Sequence, residues 1–484
     1  MRRIAPYALL LLAFAPAAAQ SPAPVRVVVD RAIAAMGGDS TLRAIRSVRM
    51  EVMTQWMRTS MANRPFLDFP SFERHADLRD YPTKSWRNTR SPLGAGTPIQ
   101  FPVVVRDSIA VVRSFARPGA TAQWQPLSVA YVDDRRQLFA FAPERLVLTL
   151  QEDRAARLLA DTLIDGAAHA RVAATVDGYQ SVTFFRRRDG FPAMVRFLAD
   201  ETNDFGLAQW GLHEVEFWYS KWSAISREQG APWLPLQRDV NRVGVPYKRM
   251  TILSLAVNAP TPADSFAISD SLVQAYLNGP AAKAMWDVNA TTVDTSTKRS
   301  ADGNFVTAFP AWFGSGGAVR ISGRWMMLES GVGRGVPEKV AAWAARTTPD
   351  TPLGGAFATT QANGGLPWML AQRHTVVASQ GLRPYLPAIL HRPIPTGMTI
   401  VTAARWLRIG SDSVWVEPLP GGELPGAIAI YSPTLRWLYH PAALSPEGRA
   451  HEAALVARLA ARNLPVALIG GSGRGIAVPY EAGR

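Results

Sequence analysis

The 484-residue chain contains no cysteine. That absence removes disulfides, thiol nucleophiles, thiolate-bound metals and a lipid-bearing cysteine behind any leader, so stability has to come from packing. Histidine is scarce as well. The seven histidines are His75, His169, His213, His374, His391, His440 and His451, and no two lie within five residues of each other. No local pair at helix or strand spacing can therefore grip a metal ion. After the first twenty residues there is no apolar run long enough for a membrane-spanning helix. Lysine is rare beside arginine, and the net charge of +14 comes from scattered arginines. The densest basic groups are Arg186-Arg187-Arg188 beside a turn and the self-neutralising Asp133-Asp134-Arg135-Arg136. Neither interleaves aromatics with a basic strand as nucleic-acid modules do, so no nucleic-acid partner is expected.

The chain opens with two arginines, a short apolar stretch over 4–16 and Ala17-Ala18-Ala19. This pattern reads as a signal peptide over 1–19 rather than a membrane anchor, which places the mature protein in the periplasm or outside the cell. The length calls for two domains of ordinary size. The mature part begins with apolar helical turns at 25–36, a Gly37-Gly38 stop and a short helix over 42–45. Period-2 alternation then marks strands at 47–56, 109–115, 168–175, 181–187, 193–198, 213–222, 236–243 and 250–257. Arg188-Asp189-Gly190 and Val243-Gly244-Val245-Pro246 are hairpin signals. In the strand from His213, Val215, Phe217 and Tyr219 share its face, while Glu214, Glu216 and Trp218 face the other way. The expected product is a curved antiparallel sheet domain over 22–260, followed by a connection over 261–309 with one helical run at 272–286.

Beyond residue 310 short buried-looking strands alternate with helices. The strands fall at 318–321, 325–329, 357–360, 375–378, 398–402, 413–418, 427–431 and 466–469, and the helices at 336–346, after Gly365, at 380–390 and at 446–462. Ser445 and Pro446 cap the last helix and Asn463 ends it. Residues 310–484 thus read as a layered α/β domain, and the chain as α+β. Within it, residues 353–390 form a strand, loop, helix, strand, helix unit of the kind that seats ligands at strand ends. The loop carries Thr359, Thr360, Gln361, Ala362, Asn363 and Gly364-Gly365, with no His, Cys or Asp.

This second half resembles the metallo-β-lactamase fold, an αββα sandwich that binds zinc between its sheet edges. The likeness rests on 324–329 with the helix after it, on 357–366 with its Gly364-Gly365-Leu366, on 421–433 with 438–443, and on 468–473. It implies that Phe357, Thr359, Gln361 and Ala362 stand where the family has His, His, Asp and His. Glu423 then stands for the next His, Ala442 for the bridging Asp and Ser472 for the last His. Only Glu423 among these is a usual zinc ligand, and one carboxylate cannot hold the ion. The first half resembles the curved sheet of lipoprotein-sorting proteins, which implies a concave apolar surface able to hold an acyl chain.

No metal, cofactor or catalytic residue is therefore assigned. A cleft of Thr359, Gln361, Glu423, His440 and Ser472 is the candidate site. The Gly470-Gly471-Ser472-Gly473-Arg474-Gly475 run is not a nucleophile elbow, because Arg474 occupies the position that needs glycine. The leading expectation is an exported binding or structural protein, with an unknown small-molecule or lipid ligand, on a hydrolase-like fold that lacks its zinc site. The alternatives are a metal-independent hydrolase of a lactone, ester or glycan in the same cleft, with Glu423 as base, and an acyl-chain or lipoprotein carrier using the first sheet.

Overall fold

In the computed structural model the described residues are 22–57, 70–92, 101–114, 121–200, 212–228, 230–242, 244–279, 298–307, 317–328, 335–358, 365–383, 386–390, 393–396, 398–419, 427–441, 446–471 and 475–480. Residues 1–19, read from the sequence as a signal peptide, fall outside them. The molecule is mixed α and β, mostly strand, with large antiparallel sheets. No helix among the described residues is long and apolar enough to cross a membrane.

The chain enters through helices α1 (Pro22–Ala35) and α2 (Asp39–Ala44). Six strands then run outward: β1 (Ser47–Met57), β2 (Pro70–Asp80), β3 (Ser85–Pro92), β4 (Phe101–Arg106), β5 (Ile109–Ser114) and β6 (Gln123–Pro126). Helices α3 (Ala130–Ala140) and α4 (Pro143–Glu152) follow. Seven more strands run back: β7 (Arg157–Ile164), β8 (Ala167–Val176), β9 (Tyr179–Arg186), β10 (Pro192–Asp200), β11 (Leu212–Ala224), β12 (Trp233–Arg242) and β13 (Val245–Val257).

All thirteen join in one sheet of order β6-β5-β4-β3-β2-β1-β13-β12-β11-β10-β9-β8-β7. Because β6 and β7 are its two edges, α3 and α4 must span the sheet between them. That crossing covers one face of the sheet. Helices α1 and α4 lie together on it, burying Val29, Ile33, Leu146 and Leu150 against Val172, Val195 and Val215 of the strands. The β9–β10 hairpin closes as its Arg-Asp-Gly signal requires: Gly190 takes a left-handed φ of 84° and its N–H donates to the Arg186 carbonyl at 2.9 Å. The helix over 272–286 is shorter in the structure, α5 (Asp270–Asn278), with Ser269 accepting from the Leu272 N–H at its start and Gly279 at its end.

The second half holds two sheets. One contains β14 (Lys298–Arg299), β15 (Phe305–Thr307), β16 (Gly317–Ile321), β17 (Arg324–Leu328), β18 (Leu353–Ala358), β19 (Thr375–Ser379) and β20 (Thr399–Val401), in that order. The other contains β21 (Arg405–Ile409), β22 (Asp412–Pro418), β23 (Ile428–Ser432), β24 (Trp437–Tyr439), β25 (Leu468–Gly471) and β26 (Gly475–Pro479). Alternation sorts each strand's side chains: Val319, Met326, Phe357 and Val377 of the first sheet pack against Val414, Val416, Ile430 and Trp437 of the second.

The opposite faces are covered by helices. Ala318, Trp325, Ala356 and Val376 lie with α6 (Gly335–Thr347) and α7 (Leu366–Ala371), whereas Ala429, Tyr431 and Leu438 lie under Leu455 and Leu459 of α9 (Pro446–Ala460). The run at 380–390 is not one helix but a 3-10 turn (Gln380–Leu382) and α8 (Leu386–Leu390), because Pro387 has no N–H with which to continue helical bonding from the turn before it. α8 packs against β11 of the long sheet. Strands β17 to β20 are parallel, and Gly355 permits a close approach: a Cβ there would stand 2.1 Å from the Thr375 carbonyl oxygen.

Leu146 is fully buried at the heart of the first core, whereas Leu163 on edge strand β7 is 71% exposed. Leu146→Ala is expected to cost about 2–5 kcal/mol in denaturant unfolding. Leu163→Ala is expected to change stability by less than about 0.5 kcal/mol.

Candidate functional site

Four of the five cleft residues proposed from the sequence, Thr359, Gln361, Glu423 and Ser472, lie outside the described residues. Ala362 and Ala442 do too, while Phe357 is buried between the two sheets of the second half. His440 follows β24, is 0% exposed, and its Nε2 lies 3.0 Å from His451 Nδ1. His451 Nε2 in turn stands 3.7 Å from Glu417 Oε1, which also accepts from Arg458. The two imidazoles are eleven residues apart in sequence, which is why no local spacing rule finds them. Facing each other, these two nitrogens share one hydrogen bond and are not free to take a metal. Among the described residues, no three His, Cys, Asp or Glu side chains are grouped to hold an ion.

A second constellation lies on the covered face of the long sheet, where sequence reading did not look. Strand β2 buries Glu73, His75, Asp77 and Arg79 and turns Phe72 and Arg74 to solvent. The apolar-in rule is thus inverted along the strand, and neighbouring β3 adds Trp86, Asn88 and Arg90 on the same face through the pairs Arg79↔Trp86, Asp77↔Asn88 and His75↔Arg90. Buried charge persists only where it is paired and hydrogen-bonded. Asp77 meets that condition fully: Arg79 Nε donates to Oδ1 at 2.8 Å, and Trp86 Nε1 and Asn88 Nδ2 donate to Oδ2 at 2.8 and 3.2 Å. Burial works to raise the Asp77 carboxyl, but the Arg79 charge and these three donors override it and hold it below the ordinary carboxylate value.

Asn88 Oδ1 accepts from Arg90 Nε at 3.2 Å, so His75 Nδ1, also 3.2 Å from that oxygen, is its donor. The remaining nitrogen, Nε2, stands 3.3 Å from Glu73 Oε2, which accepts from Trp56 Nε1 at 3.0 Å. Burial first, and the Arg90 charge second, keep His75 below the usual histidine value against the pull of Asn88, Glu73 and Asp77. Arg90 lies over Trp56 and Tyr131, and Lys248 Nζ sits 4.3 Å from the centre of the Trp56 ring.

The α3–α4 junction is fixed over this row by three bonds. Arg79 Nη1 donates to the Leu138 carbonyl at 3.2 Å, Tyr219 Oη to the Phe141 carbonyl at 2.6 Å, and Tyr81 Oη to Glu144. Burial and the Glu144 charge push the Tyr81 hydroxyl well above its ordinary value, so it stays a proton donor. Between junction and sheet lies a cavity of about 80 Å³. Met50, Val52, Phe217, Val240 and Ile252 give it an apolar floor, and five cationic side chains against three carboxylates complete its lining. Each ordered water needs about 10–15 Å³ of such space, so the cavity takes about six waters or a ligand segment of similar size.

Comparison with known proteins gives likeness of structure alone. No family model matches the chain, and no curated protein matches it. The chain is similar to a solved LolA-superfamily protein from Nitrosomonas europaea, at 12% identity and a TM-score of 0.30, over 52% of this chain and 99% of that one. It is similar to a metallo-beta-lactamase from Pontibacter korlensis, at 17% identity and a TM-score of 0.26, over 38% of this chain and 85% of that one. It is also similar to the DIM-1 metallo-beta-lactamase, at 14% identity and a TM-score of 0.30, over 38% and 92%.

On the covered face of the long sheet a charged row lies beside the apolar floor of the cavity. The signal was present in β2, where Glu73, His75, Asp77 and Arg79 alternate with residues of mixed character. Among the other histidines, His169 Nδ1 bonds the Ala167 carbonyl oxygen at 2.8 Å, and His213 Nε2 accepts from Arg242 Nη1 at 3.2 Å.

Arg79→Met leaves the buried Asp77 carboxylate without its cation and is expected to cost about 3–5 kcal/mol, most of it recovered in Asp77→Asn/Arg79→Met. Unfolding midpoints in denaturant give the comparison, and equal stability of Arg79→Met and the parent contradicts it. A pH dependence follows from His75, His374 and His451, which all lie below the usual histidine value, with burial the largest cause in each. The fold holds the neutral form, so the unfolded chain takes up protons first as pH falls. Stability is full above about pH 6.5 and is lost as pH drops through the folded values. His451→Gln should flatten the loss between pH 8 and 5, and an unchanged slope contradicts its share.

Proposed function

We propose that the protein is an exported, non-catalytic binding protein whose ligand seat is the groove of the long sheet, with a metallo-β-lactamase-like second half that serves as a structural body without zinc. One observation carries the reading: a strand that turns four charged or titratable side chains inward does so around a cavity beside an apolar floor. A sheet that needed only to pack would fill that space with aliphatic side chains, which is the less costly solution. A small concave site with an apolar lining and a few convergent polar groups is the usual form of a small-molecule seat.

Two features of the second half support the non-catalytic part. The resemblance places Phe357, Thr359, Gln361 and Ala362 where zinc donors are needed, and none of these is a usual ligand. His440 is buried and its Nε2 is committed to His451, so this imidazole is not presented to a substrate as a general base. The acyl-carrier reading is narrowed by size, because about 80 Å³ encloses the head and first carbons of an amphiphile and no more.

The ligand class is a small or medium-chain amphiphile, and 1-octanol is the probe. Titration calorimetry with the full chain should detect octanol binding. Val52→Trp, which places an indole in the groove, should weaken that binding more than tenfold at a stability cost of about 1–3 kcal/mol. Octanol binding that is absent, or unchanged in Val52→Trp, contradicts the reading.

A further inference from the structure

We propose that the groove is specific for an amphiphile with a carboxylate head, and that Arg90 is the residue that receives it. This rests on the groove being a ligand seat. Arg90 lies on β3, is half-buried and lines the cavity. Charge taken out of water is ordinarily matched by an opposite charge. Elsewhere in the lining that match is made: Arg79 pairs with Asp77 at 2.8 Å, Arg238 stands 3.9 Å from Glu144, and Asp239 stands 3.7 Å from Arg249. Arg90 enters no ion pair among the described residues; Glu73 and Asp134 act on it through space, and neither comes within ion-pair distance.

The bonds Arg90 does make leave one end of its guanidinium open. Nε donates to Asn88 Oδ1 at 3.2 Å and Nη1 reaches Tyr131 Oη only at 3.5 Å, while Nη2 makes no hydrogen bond among the described residues and is not sealed from solvent. Nη1 and Nη2 together present the two N–H bonds that a carboxylate meets with both of its oxygens. A second cation stands close by: Arg90 Cζ and Lys248 Nζ lie 5.8 and 4.3 Å from the centre of the same Trp56 ring. Two positive charges beside one indole favour an anion there over a cation or a neutral head. Trp56 ends a row, Met50, Val52, Thr54 and Trp56, that alternation puts on one face of β1 and that lines the cavity. A carboxylate at Arg90 therefore lays its alkyl chain toward Val52 and Met50. One unmatched guanidinium calls for one negative charge, a carboxylate rather than a doubly charged phosphate ester.

The test compares octanoate, 1-octanol and octyl phosphate, equal in chain length and different in head group, by titration calorimetry on the full chain near neutral pH. Octanoate is expected to bind at least about tenfold more tightly than octanol, the scale of one charge-assisted contact, and more tightly than octyl phosphate. In Arg90→Gln octanoate should fall to the affinity of octanol, with octanol binding kept. Arg90→Lys keeps the charge but not the paired N–H groups and should retain only part of the preference. Arg74→Gln removes a cation whose side chain is 58% exposed on the opposite face of the sheet and should leave the preference intact. Circular dichroism establishes that each variant is folded, and the comparison on the parent protein needs no variant. Octanol binding with octanoate no tighter overturns the head-group assignment and leaves the groove as a seat. Octyl phosphate binding tighter than octanoate overturns the carboxylate. A preference undiminished in Arg90→Gln, or lost equally in Arg74→Gln, assigns it to general charge and overturns Arg90 as the receiver. Binding of none of the three overturns the groove reading together with this inference.

Discussion

The ion pair between Asp77 and Arg79, sealed by Trp86 and Asn88, is the constraint on which the first half depends. Two charges two residues apart on β2 are held out of water, and each needs the other as well as its hydrogen bonds. The same guanidinium reaches up to the Leu138 carbonyl, so the pair also fixes where α3 ends over the sheet. Tyr219 and Tyr81 fix the next turn and the start of α4. A junction held by polar bonds at three points leaves space below it that apolar packing would have closed. The groove follows from the charge row.

The rest of the sheet is ordinary by comparison. Helices α1 and α4 bury aliphatic side chains against β8 to β11, and the thirteen-strand order follows from an outward meander, a helical crossing and a meander back. In the second half, alternation gives each strand one face toward the other sheet and one face toward a helix. Its described histidine pair is turned inward upon itself, with Glu417 and Arg458 closing the chain of contacts.

Much of the strand pattern was legible because apolar alternation and burial coincide there. The first strand, read at 47–56, is Ser47–Met57, and the end of the long sheet, read at 257, is Val257. β2 and β3 escaped that reading for a physical reason: their buried faces are polar, so a period-2 search for apolar residues passes over the very strands that line the groove. The helices α3 and α4 were also missed. The first contains Asp133, Asp134, Arg135 and Arg136, which read as a charged segment until its Gln137 and Leu138 face is seen against the sheet. The His440 and His451 contact is a tertiary event between a strand end and a helix, and no spacing rule can express it.

The account is tested most directly by a crystal structure of the protein soaked with 1-octanol. It predicts density for the alkyl chain in the groove of the long sheet, against Val52 and Ile252. Ordered octanol elsewhere, with the groove occupied only by water, would contradict it.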